Sequence, residues 1–165
     1  MGILIDREDF VGKHKLSKTI DTKLDDCIID HESSILIKLL GLELSNLFIA
    51  DLTSQVPVTQ RFLDIFNKIE VQDPCLMINT GMKNVLLGFI WFEYARENKY
   101  IHTGTGVQHA STNDSETPDF TNELAYKQYN DAVRGYKVIQ QYILKNSSTY
   151  PEFKGINLEI ASLTW

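Results

Sequence analysis

Val85-Leu86-Leu87-Gly88-Phe89-Ile90-Trp91-Phe92-Glu93-Tyr94 is the most apolar run of the chain, and it lies in a span from Thr80 to Asn98 with almost no polar face. A helix that is apolar all round has to be enclosed by other helices or by neighbouring subunits, so this span predicts the central helix of a helical bundle. The Asp73-Pro74 break precedes it, and no apolar run here reaches the length of a membrane span. Gly88 costs about 1 kcal/mol relative to Ala in a helix interior, and a close approach of a second helix at that point would account for its use.

Working outward toward the N-terminus, Thr59 precedes a short helix carrying Phe62, Leu63, Ile65 and Phe66. Thr53-Ser54-Gln55-Val56-Pro57 separates it from another short helix with Leu44, Leu47, Phe48 and Leu52 on one face. A stronger helix begins near Thr22, where Thr22 and Asp25 have the spacing of a capping box. Leu24, Ile28, Ile35 and Leu39 form its stripe, widened by Cys27, Leu36 and Leu40, and Gly41 is its expected C-cap. The opening residues read as extended or loosely helical, with Phe10 as an anchor.

Toward the C-terminus the character changes at Tyr100. Residues 100–118 are small, polar and turn-prone, and the Tyr100–His102 and Val107–His109 flanks around Gly104 and Gly106 predict a projecting β-hairpin. The last long helix is expected from Thr121 to Lys145, on a stripe of Ala125, Tyr129, Ala132, Val133, Tyr136, Ile139 and Ile143. Pro151 prevents its continuation. In the tail from Gly155 to Trp165, Ile156, Leu158 and Ile160 alternate with Asn157 and Glu159, which is a strand pattern. Such a strand has to pair with the hairpin, pack irregularly, or add to another chain. The expected fold is a single mainly α domain over 1–165, a helical bundle with two long helices plus short helices, a hairpin-like insertion at 100–118 and extended terminal arms at 1–10 and 155–165.

The chemistry expected of this chain is sparse. Its composition, 43% hydrophobic and 23% charged, is that of a globular domain. A net charge of −6 without a basic stripe is a poor basis for binding nucleic acid, although an acidic surface suits a passage through which DNA slides without adhering. The opening Met1–Asp9 lacks the length and basic flank of a signal peptide, so synthesis in a reducing cytoplasm is expected, with Cys27 and Cys75 as free thiols packed like small apolar residues. His14, His31, His102 and His109 form no H-x-x-x-H pair, and no Cys or carboxylate stands at an evident ligand spacing, so no metal site is expected. Gly104-Thr105-Gly106 lacks the continuation of a phosphate loop, and no nucleophile elbow is present. No catalytic residue and no cofactor are assigned. Tyr126, Tyr142 and Trp165, off the helical stripes, are candidates for contacts between subunits.

Four phrases, Ile5-Asp6-Arg7-Glu8-Asp9-Phe10, Leu39-Leu40-Gly41-Leu42-Glu43-Leu44, Leu87-Gly88-Phe89-Ile90-Trp91-Phe92-Glu93-Tyr94 and Tyr150-Pro151-Glu152-Phe153, together with this order of elements, give the chain a likeness. It resembles the head–tail connector, or adaptor-ring, proteins of tailed bacteriophages, and most closely the ring proteins of crAss-like phages. The resemblance implies a subunit of a homo-oligomeric ring, a dodecamer, docked beneath the portal protein. Such a ring extends the channel for passing dsDNA without sequence-specific binding, and it supports tail or second-ring proteins at the head–tail junction of the virion. It also implies neighbour contacts through the arms, placing Ile3, Ile5 and Phe10 on one and Ile156, Leu158, Ile160 and Trp165 on the other. Tyr100, His102, Gly104, Gly106 and His109 then belong to the projecting insertion. The competing expectation is a small helical regulatory or binding module acting on a host or phage protein partner.

Overall fold

The computed structural model describes residues 2–15, 22–72, 75–98, 100–103, 106–109 and 120–161. Within these the chain is mainly helical, with helices α1 (Thr22–Leu40), α2 (Leu42–Ala50), α3 (Gln60–Phe66), α4 (Met82–Asn98) and α5 (Phe120–Lys145). Three helices, of 19, 17 and 26 residues, carry the bundle where two long ones were expected. Three small antiparallel hairpins decorate it: β1 (Leu52–Thr53) with β2 (Val56–Pro57), β3 (Glu70–Gln72) with β4 (Leu76–Ile78), and β5 (Tyr100–Thr103) with β6 (Gly106–His109).

The apolar run of α4 is the centre of the core: Val85, Leu86, Leu87, Phe89, Ile90 and Trp91 are all buried. It packs antiparallel on α5, since Phe89 meets Tyr129 while Phe92 meets Tyr126. At Gly88 the two helices come so close that a Cβ would lie 2.8 Å from the Cβ of Ala132. Gly41 separates α1 from α2 at φ +85° and ψ 157°, a conformation L side chains rarely adopt, and turns the chain by 118° between the two helices.

The N-terminal segment is not a free arm. It folds as two 3-10 turns, Arg7–Asp9 and Gly12–His14, and it buries Leu4, Ile5 and Phe10 in the chain's own core. Glu32 of α1 holds it there: its carboxylate accepts the main-chain N–H groups of Ile3 at 2.5 Å, Leu4 at 2.7 Å and Ile5 at 3.0 Å. Burial pushes that carboxyl above its usual range, against the downward pull of the three donors. Asp25 receives the guanidinium of Arg7, while the Thr22 side chain, the other half of the expected capping box, lies outside the described residues.

The alternating tail is not a strand either. It runs over the C-terminal end of α1 and completes that helix's unpaired carbonyls. Ile156 N donates to Lys38 O at 2.9 Å and Lys154 N to Leu40 O at 3.2 Å. Between them, the Tyr136 hydroxyl lies 2.7 Å from Leu39 O and 3.0 Å from Ile156 O, one donor shared by two carbonyls. Asn130 then imitates a partner strand: its side-chain oxygen accepts Ala161 N at 2.9 Å, and its nitrogen donates to Ala161 O at 3.0 Å. The irregular packing option among the three expected for the tail is the one realised through Ala161.

The β1–β2 turn places Ser54 at φ +50° and Gln55 at φ +65°, the paired positive angles of a tight primed turn. Asp51 closes the far side by accepting Val58 N and Thr59 N, each at 2.8 Å, and the Thr59 hydroxyl. Thr59 therefore stands at the N-cap position of α3 but spends its side chain on Asp51 rather than on the helix.

Candidate functional site

Two features lie where α1 meets α4. The first is a side-chain cluster. Cys27 and His31 are four residues apart on α1, which puts them on one face. Glu97, in the last turn of α4, brings its carboxylate to them, with Glu97 Oε1 2.6 Å from His31 Nε2. The three ligand-type atoms lie within 4.8 Å of one another. Cys27 is 2% exposed, with Sγ 4.0 Å from Ile90 O and in side-chain hydrogen-bond contact with Glu97, whereas His31 is half-buried and Glu97 exposed. Burial, with the negative charge of Glu97 and Glu93 behind it, pushes the thiol up to about 12, so without a cation beside it the sulfur keeps its proton.

The absence of a ligand spacing read from the sequence is thereby corrected. The sequence carries a C-x-x-x-H pair on a helix at Cys27 and His31, at the same spacing as an H-x-x-x-H pair. Only the third member, Glu97, was beyond local reading, since it lies 66 residues from His31 in sequence.

The second feature is a groove of about 360 Å³ beside the cluster, under the tail. Ile35, Leu39, Phe89, Phe92, Tyr129 and Leu158 give it an apolar lining, with Lys38 and Glu93 at its edge. Leu158, expected to contact a neighbouring subunit, is half-buried against this chain's own core. Burial and the negative charge of Glu93 raise the Tyr129 hydroxyl, so the groove wall is neutral phenol at ordinary pH.

The other expected contact residues divide. Ile3 is half-buried and packed on the core, and Ile5 and Phe10 are buried in it. Tyr126 and Tyr142 are half-buried and meet Phe92 and Tyr150, with ring centroids 5.8 and 6.4 Å apart. Ile156 and Ile160 are 45% and 47% exposed and present apolar surface outward. In the insertion, Tyr100 pairs with His109, His102 with Val107 and Thr103 with Gly106 along the β5–β6 ladder. Gly104, residues 110–118 and Trp165 lie outside the described residues. Exposed apolar side chains that were not singled out stand on the other hairpins, Val56 on β2, Val58 just after it, and Leu76 and Ile78 on β4. No single helix among the described residues is long and apolar enough to cross a membrane.

Compared with known proteins, the chain matches no family model, no curated protein and no solved structure.

Proposed function

We propose that the chain is a structural, non-catalytic subunit of a head–tail connector ring, which docks beneath a portal, extends the DNA channel and supports tail attachment in the virion. The observation that carries this reading is the β5–β6 hairpin inserted between two antiparallel, closely packed helices, in the element order of the adaptor-ring proteins that the chain's phrases resemble. The net charge of −6 supports it, because a channel wall that does not hold phosphate lets DNA slide. Val56, Val58, Leu76, Ile78, Ile156 and Ile160 supply exposed apolar side chains for neighbouring subunits, a portal, or tail and second-ring proteins. With the tail closed on its own helices as far as Ala161, contact through residues 155–161 is by these side chains rather than by donation of a strand.

A second reading has its own observation. Both ends of the described chain are tied to its own helices, Leu4 and Ile5 through Glu32 and the tail through Tyr136 and Asn130, so one chain covers most of its own core. That favours a monomeric helical module that binds one protein partner. Sedimentation of the purified chain with and without portal particles, together with mass spectrometry of purified virions, separates the two. The ring subunit is recovered in virions and sediments with portals at a fixed stoichiometry. A chain that stays monomeric at every concentration, ignores portals and is missing from virions overturns the ring and leaves the binding module.

A further inference from the structure

We propose that Cys27 Sγ, His31 Nε2 and one carboxylate oxygen of Glu97 bind a single Zn²⁺ ion at the α1–α4 seam, with water in the fourth position. This site is independent of the ring reading. The donor set is sulfur, imidazole nitrogen and carboxylate oxygen, the combination that selects zinc over magnesium or calcium.

The geometry is close to that needed. Zinc bonds of about 2.0–2.3 Å in a tetrahedron place ligand atoms roughly 3.3–3.6 Å apart. The present atoms lie near that spacing, with His31 Nε2 and Glu97 Oε1 at 2.6 Å and all three within 4.8 Å of one another. Admitting the ion requires His31 and Glu97 to separate by less than an ångström, and both side chains reach solvent, so rotation about their own bonds suffices. Cys27 needs no movement toward water: it forms the dry floor of the site, and Glu97 its wet rim.

Charge points the same way. One thiolate and one carboxylate balance a divalent cation, so the complex buries no net charge at the Cys27 sulfur. On binding, the thiol proton leaves to solvent and the sulfur–zinc bond forms. The imidazole coordinates through Nε2 as a neutral ring, with its one proton on Nδ1. Asp30, beside His31 on α1, adds negative potential that draws the cation in, while Glu93, one turn before Glu97 on α4, is paired with Arg96 at 2.5 Å.

The test uses the purified full chain with Cys75→Ser, which removes the exposed second thiol. Cobalt(II) is titrated as the probe, and zinc is then added to displace it. The expected result is a thiolate-to-cobalt charge-transfer band that saturates at one equivalent, bleaches with zinc, and is accompanied by a higher Tm in zinc. Cys27→Ser abolishes the band. His31→Ala and Glu97→Gln, at half-buried and exposed positions where the fold survives, each weaken binding by at least about tenfold. No band in the Cys75→Ser chain overturns the proposal, and so does a band of unchanged affinity in the His31→Ala/Glu97→Gln double variant.

Discussion

Tyr136 holds two carbonyls with one hydroxyl, and its burial raises that hydroxyl above the usual phenol range, so it is a hydrogen-bond donor at ordinary pH. Tyr136→Phe keeps the ring and removes the donor, leaving Leu39 O inside the fold without its partner. The expected cost is about 1–3 kcal/mol by chemical denaturation, and a loss within error of zero would mean that water replaces the hydroxyl. Glu32 carries a comparable duty at the other end. Glu32→Ala should lower stability by about 1–3 kcal/mol and strip hydrogen-exchange protection from the amides of Leu4 and Ile5 while leaving α4 protected. Neither role shows in the local pattern. Glu32 lies among ordinary polar residues of α1, and only the return of the N-terminus gives its carboxylate three donors.

At the scale of elements, the α4–α5 pair is set by one missing side chain. Gly88→Ala gains about 1 kcal/mol of helix propensity but sets its Cβ 2.8 Å from Ala132 Cβ and 3.0 Å from Gln128 O. Overpacking of this kind costs about 1–3 kcal/mol, so the net change is destabilising, and adding Ala132→Gly should recover part of the loss in a double-mutant cycle. The tail is held more locally. Asn130→Ala removes both bonds to Ala161, and limited proteolysis should then cut within residues 157–161 sooner than in the parent, with little change in the melting of the bundle. α4 and its Gly88 contact were legible from the sequence, because an all-round apolar helix has no other place to go. The β5–β6 hairpin was legible too, from its glycines and flanking residues. β1–β2 and β3–β4 were not legible, since strands of two or three residues are too short to display a period. The tail misled for the opposite reason: its alternation is real, but its amides meet the carbonyls at the end of α1 instead of a sheet edge.

For the whole molecule, pH reports on a buried histidine. His14 is 3% exposed, neither ring nitrogen has a hydrogen-bond partner among the described residues, and burial together with the Lys13 charge lowers it from 6.5 to about 4. Between those values the unfolded chain binds a proton that the folded chain refuses, so folding stability is complete above pH 6.5 and falls as the pH drops toward 4. The shift corresponds to about 3 kcal/mol over that window. Denaturation midpoints measured from pH 4 to 7 should rise with pH, and His14→Phe should flatten that rise. A slope unchanged by the substitution would assign it to other groups.

The sequence by itself determined that this chain is mainly helical, where its central helix lies, where glycine must break or admit a helix, and that a hairpin interrupts the last two long helices. These follow from periods and local conformational preferences, which act within a few residues. Tertiary structure alone decided that both ends of the described chain, Leu4 and Ile5 on one side and the tail as far as Ala161 on the other, close on the chain's own helices. It also decided that Tyr126 and Tyr142 serve this fold's packing, and that Glu97 joins Cys27 and His31. Those outcomes depend on unpaired carbonyls, donors and ligand atoms meeting across tens of residues, and no local pattern encodes which of them will meet.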